Sequence, residues 1–65
     1  MVMNDKREKW VAEYITAGGT HGAHECDRYG TAKAAFESFK RQGATVRLIH
    51  VIGDKAEVLE VTNNG

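Results

Sequence analysis

His21, His24 and Cys26 place two of the three histidines and the sole cysteine of the chain within GGTHGAHECD, residues 18–27. Their H-x-x-H-x-C spacing poses two kinds of chemistry. The first is metal binding, since zinc takes imidazole nitrogen at about 2.0–2.1 Å and thiolate at about 2.3 Å and closes a tetrahedron with four ligands. On a strand His24 and Cys26 share a face, because side chains alternate with a period of two. His50, in the run TVRLIHVI, falls in register with Val46, Leu48 and Ile52 and could meet them there, with His21 reaching in from a loop as a fourth ligand. The second is nucleophilic: a thiolate activated by a neighbouring imidazole or a helix N-terminus, with Cys26 just ahead of a helix and His24 two residues away.

Each reading has a plainer rival. The spacing matches no standard zinc motif such as paired C-x2-C knuckles, and a free cysteine most often behaves as a small buried hydrophobe. Glu25, Asp27 and Glu37 supply carboxylates, but no pattern puts two of them at one site, and no phosphate-cradling glycine loop follows a strand. The expectation is therefore a protein that is not an enzyme and carries no cofactor, with the His21/His24/Cys26/His50 metal site as a minor alternative.

The elements that must position these residues read as β-β-α-β-β. KWVAEYIT (9–16) mixes aromatic and β-branched residues as a strand does. The glycine-rich AGGTHG reads as a turn, and AHECD (23–27) as a second strand. The helix is expected over about residues 31–42, with Thr31 as N-cap. Ala32, Ala35, Phe36 and Phe39 form one stripe of a 3.6-residue period, Lys40 and Arg41 lie in the last turn, and Gly43 stops the helix. TVRLIHVI (45–52) and AEVLEV (56–61), separated by Gly53-Asp54-Lys55, form a hairpin. The fold class is a small single α+β domain, one helix packed on one face of a four-stranded, mainly antiparallel sheet. Residues 1–8 read as a flexible N-terminal segment, 9–62 as the domain and 63–65 as a C-terminal tail.

A chain of 65 residues buries only about 60% of its unfolded surface, so association, a metal or disulfides are the usual supplements. One cysteine excludes an internal disulfide. With 9 basic and 9 acidic residues the formal charge is zero, which speaks against an acidic DNA mimic and against a strongly basic nucleic-acid binder. No apolar run approaches the roughly 20 residues of a membrane span, and no signal-peptide core follows MVMNDKREK. A cytoplasmic protein without membrane contact is expected.

One helix covers one sheet face, yet both faces of these strands carry apolar residues. Trp10 and Tyr14 alternate with Val11 and Ile15; Val46, Leu48 and Ile52 alternate with Arg47, Ile49 and Val51; Leu59 and Val61 share a parity with Glu57. A contiguous exposed patch marks an interaction surface, and Trp, Tyr and Arg dominate interface energetics when buried at its centre. The expected interface is Trp10, Tyr14, Arg47, Ile49, Val51, Leu59 and Val61. The expected partner is a protein or a second copy of the chain as a homodimer, with the first or last strand also free to join a partner's sheet. The alternative partner is nucleic acid, held by Arg28, Lys33, Lys40 and Arg41 on the helix side, with Arg47, Tyr29 and Trp10 in support and Glu37 weakening the patch. In size and style the chain resembles the short accessory proteins of phages and other mobile elements, a resemblance that implies binding and inhibition of a host protein.

Overall fold

The computed structural model describes residues 8–62; of the expected terminal segments, residues 1–8 and 63–65, all but Glu8 lie outside the described residues. Four strands, β1 (Glu8–Ile15), β2 (His21–Cys26), β3 (Thr45–Ile52) and β4 (Lys55–Val61), form one antiparallel sheet. Their order is β2-β1-β3-β4, with helix α1 (Tyr29–Arg41) on one side. The expected α+β architecture is the one observed.

Helix and sheet meet where side chains are small or flat. Ala12 on β1, Val46 and Leu48 on β3, and Ala32 and Phe36 on α1 are buried together with Cys26 and Ala44. Three of these seven are alanines, so the helix lies close to the strands and Phe36 supplies the bulk of the fill. Trp10, Tyr14, Ala35 and Phe39 pack around this centre. At the helix end Gly43 adopts φ +89°, the left-handed conformation that glycine accepts without strain, and the Gln42 and Gly43 N–H groups close back on Ser38, Phe39 and Lys40.

Several boundaries differ from the sequence reading, among them the end of β1 at Ile15 instead of Thr16 and the start of β4 at Lys55 instead of Ala56. The helix begins at Tyr29, two residues before the expected Thr31 cap, with Arg28 in extended conformation as N-cap and no side-chain cap. The Ala32 N–H donates to the Arg28 carbonyl, which closes the first turn there, and the Tyr29 ring meets Trp10 edge-on at 6.5 Å; a tertiary aromatic contact overrides the local cap signal. Strand β2 begins at His21 and ends at Cys26, so Gly22 is a strand residue and the connection is confined to residues 16–20. The cause is Tyr14, Gly22's partner across the β1–β2 ladder. A Cβ on Gly22 would collide with the Tyr14 phenol, which lies in the space the glycine leaves open, while the same ring packs on Phe39 at 4.3 Å. Strand β1 starts one residue earlier than expected, at Glu8, and is central; the edges are β2 and β4, so the first strand is not free to join a partner's sheet.

Strand β4 carries the largest departure. Ile49 pairs with Val58 and Leu48 with Glu60, leaving Leu59 as the extra residue of a β-bulge. Before the bulge Glu57 pairs with His50, on the helix side; after it Val61 pairs with Arg47, on the other side. The expected common parity of Glu57, Leu59 and Val61 is therefore broken. The bulge is tied down by residues past it: Thr62 N–H donates to the Val46 carbonyl at 3.0 Å, and the buried Thr62 Oγ1 accepts from Val46 N–H at 3.1 Å.

Candidate functional site: the helix-free sheet face

Because Ala12, Val46 and Leu48 are buried beneath the helix, alternation sends their neighbours to the opposite side. Register then assembles that side in rows. Val11 lies between Glu25 and Ile49, with Val58 beyond; Glu13 lies between Ala23 and Arg47, with Val61 beyond; Ile15 lies between His21 and Thr45; Lys9 and Val51 sit beside Ala56. The result is an apolar centre of Val11, Ile49, Val51 and Val58, flanked by Ile15 and Val61. Among the described residues no element packs over it: Val11, Ile49 and Val51 are half-buried by their neighbours in the sheet, and Ile15, Val58 and Val61 keep 40%, 47% and 53% of their surface exposed.

Charge on this face is internally matched. The Arg47 guanidinium donates to the Glu13 carboxylate across the β1–β3 pair, through Nε at 2.9 Å and through Nη2, and Lys9 Nζ lies 3.2 Å from Glu25. Both pairs are solvent-exposed, where such contacts add little stability; their effect is to leave the face without net charge. Toward the turn end the surface dips into an open hollow of about 520 Å³ lined by Glu13, Ile15, His21, Thr45, Arg47 and Val61 among others.

Of the expected interface residues, Arg47, Ile49, Val51 and Val61 lie together on this face. Trp10 and Tyr14 lie on the helix side and pack against the core. Leu59 is the bulge residue; its neighbour Val58 takes the place it was expected to fill. The aromatic side chains are used internally instead. Trp10 stacks on its cross-strand partner His50, ring centroids 4.9 Å apart and 9° from parallel, and His50 Nε2 lies 2.6 Å from Glu8 Oε2.

This placement dissolves the soft-ligand cluster. Cys26 and His50 flank Trp10 on opposite neighbouring strands, so the indole stands between them. His24 flanks Ala12 on the Cys26 side, and His21, now a strand residue of odd parity, points to the other face. No group of three or more histidine, cysteine or carboxylate side chains able to hold a metal exists among the described residues. Cys26 is buried in the core, the commoner fate of a free thiol, and His24 is exposed.

The basic alternative is likewise broken up. Lys33 Nζ lies 2.5 Å from Glu60 Oε2 and 3.4 Å from Glu37 Oε2, and Lys40 Nζ lies 3.9 Å from Glu37. The Glu60 carboxylate, aided by Glu37, holds the Lys33 ammonium protonated above its ordinary range, against a smaller opposing effect of desolvation. Among the described residues that leaves Arg28 and Arg41 of the expected four without an acidic partner, at opposite ends of a helix about 20 Å long.

Fold and surface together define a class: a small α+β protein in which, among the described residues, one helix packs on one side of the sheet and no element packs on the other. No protein-family model matches the chain, and no curated protein or solved structure is a significant match to it. Among the described residues no helix is long and apolar enough to cross a membrane.

Proposed function

We propose that this protein is a non-enzymatic protein-interaction module that pairs with a second copy of itself through the helix-free sheet face. The observation that carries the reading is the uncovered apolar centre formed by Val11, Ile49, Val51 and Val58. Two properties favour a second copy as its occupant. The face is electrically neutral because Glu13–Arg47 and Lys9–Glu25 are satisfied within one chain, so a like face meets no net repulsion. Its extent also fits. Four strands spaced about 4.8 Å apart and about 24 Å long give two opposed faces on the order of 1,000 Å² together, at the lower limit for specific association. Two such sheets pack face to face about 10 Å apart, with strands crossing at about 30° or near a right angle, the apolar patch of Val11, Ile49, Val51 and Val58 meeting its like beside the self-paired Glu13–Arg47 on the two central strands.

Analytical ultracentrifugation over a dilution series tests this. The native chain should move from the monomer mass of 7.2 kDa to at least twice that mass as concentration rises. Val58→Lys should shift the midpoint upward by about tenfold or more, since burying one lysine against an apolar face costs more than the roughly 1.4 kcal/mol that a factor of ten represents. Its thermal midpoint in dilute solution should stay put, because Val58 is already half exposed. A chain that remains monomeric at millimolar concentration would overturn the reading and leave the face to a foreign protein.

A further inference from the structure

The sheet has two edges, and they are finished differently. Strand β4 carries Lys55, Glu57 and Glu60 and the Leu59 bulge, the devices that keep an edge from templating another strand. Strand β2, HGAHEC, has no proline, no lysine and no bulge.

Which backbone groups of β2 are free follows from the ladders. The Val46 N–H and C=O both engage Thr62 beyond β4, so even-numbered residues of β3 point to β4 and odd-numbered ones to β1. In an antiparallel sheet this parity carries across. Odd residues of β1 then bond β3, and Trp10, Ala12 and Tyr14 bond Cys26, His24 and Gly22 of β2. The turn agrees: the Thr16 N–H donates to the Thr20 carbonyl at 2.9 Å, in phase with a hydrogen-bonded Tyr14–Gly22 pair. The N–H and C=O groups of His21, Ala23 and Glu25 therefore point off the edge.

We propose that this edge is a second self-association site, in which β2 pairs antiparallel with β2 of a second copy about a two-fold axis through Ala23. The axis sets Ala23 against Ala23 of the second copy, and His21 against Glu25 of the second copy, twice. All three outward-pointing residues then exchange both of their hydrogen bonds. At each end an imidazole faces the Glu25 carboxylate, which also meets Lys9 of its own chain, and a methyl side chain sits where the strands meet. On the helix side each His24 falls opposite Gly22 of the other chain. The neighbouring register, with the axis through His24, sets imidazole against imidazole and Ala23 against Glu25, and matches nothing. Pairing about Ala23 keeps both helices on one side of an eight-stranded sheet and joins the two helix-free faces into one surface. It is independent of face-to-face pairing.

The test uses the full chain carrying Val58→Lys, which suppresses face pairing, and Cys26→Ala, which removes the native thiol. Ala23→Cys in this background should form a disulfide-linked dimer on air oxidation, because opposed hydrogen-bonded residues have Cα atoms about 5.5 Å apart, within the disulfide range of about 4.4–6.8 Å. Glu25→Cys should not link, since it faces His21 and not itself. Ala23→Pro, in the same background with residue 23 otherwise native, removes an outward N–H that the β1–β2 ladder does not use, so circular dichroism should report a folded chain. Ultracentrifugation should show its dimer lost. Equal linking at 23 and 25, no linking at 23, or a dimer that survives Ala23→Pro would each overturn the proposal. A face-pairing failure shows instead as indifference of the otherwise native chain to Val58→Lys.

Discussion

Gly22→Ala provides a sign test of the packing between Tyr14 and Gly22. By propensity alone the change should help: glycine in a strand interior costs roughly 0.5–1 kcal/mol relative to alanine, through the freedom it loses on folding. The structure predicts the opposite sign. The added Cβ falls inside the Tyr14 phenol, so the ring must swing away from the position in which it packs on Phe39. Overfilling a packed site costs about 1–3 kcal/mol, and the lost aromatic pair belongs to that figure. Net destabilisation of up to about 2.5 kcal/mol results once the propensity gain of roughly 0.5–1 kcal/mol is subtracted. The assay is urea unfolding followed by circular dichroism, repeated in a Tyr14→Ala background. There the obstruction is gone, and Gly22→Ala should stabilise by about 0.5–1 kcal/mol. The propensity gain cancels in the cycle, which thus yields a coupling of about 1–3 kcal/mol, the size expected for residues in contact. Stabilisation by Gly22→Ala in the native background, or a coupling near zero, would refute the claim that Tyr14 occupies the glycine's empty side.

Two further outcomes follow from the helix side of the sheet. Phe36, 2% exposed amid alanines, should cost about 3–5 kcal/mol on truncation to alanine. That is comparable with the whole stability of a domain this size, about 3–10 kcal/mol, so Phe36→Ala should be largely unfolded by circular dichroism while Phe36→Leu stays folded with a lowered urea midpoint; an unchanged midpoint in either would contradict the core assignment. Lys33 has its folded pKa raised above the ordinary 10.5 by Glu60 and Glu37. Its stabilisation is complete below that ordinary value and disappears as pH climbs through the raised one. The thermal midpoint of the native chain should thus fall more steeply than that of Lys33→Met across this alkaline window, and parallel slopes would exclude the contribution.

Periodic elements were legible in the sequence because their cause is local. The stripe Ala32, Ala35, Phe36, Phe39 faces the core as its spacing requires, Gly43 stops the helix, and the β3–β4 hairpin turns where Gly53 and Asp54 predict. What escaped had causes many residues away. Gly22 looks like turn glycine until Tyr14 is laid across it, and the helix starts at Tyr29, whose ring meets Trp10 from a distant strand. Trp10 and Tyr14 have the chemistry of interface residues, but which side of β1 meets the helix depends on Ala12, a position that signals nothing by itself. The H-x-x-H-x-C spacing was uninformative for a related reason: strand order, which a sequence does not print, places Trp10 between Cys26 and His50.

Leu59 has a consequence for chain length. Removing a residue from a strand normally reverses every side chain beyond it. Here Val58 and Glu60 already occupy successive, opposite-facing positions against Ile49 and Leu48, with Leu59 looped between them. Excising Leu59 would straighten β4 and leave Val58 and Val61 on the open face, Glu60 beside Lys33 and Thr62 on Val46. The hazard lies in keeping all residues and losing the bulge. A straight β4 would carry Leu59 and Val61 to the helix side and turn Glu60 away from Lys33, and the two Thr62–Val46 hydrogen bonds are made in the bulged register.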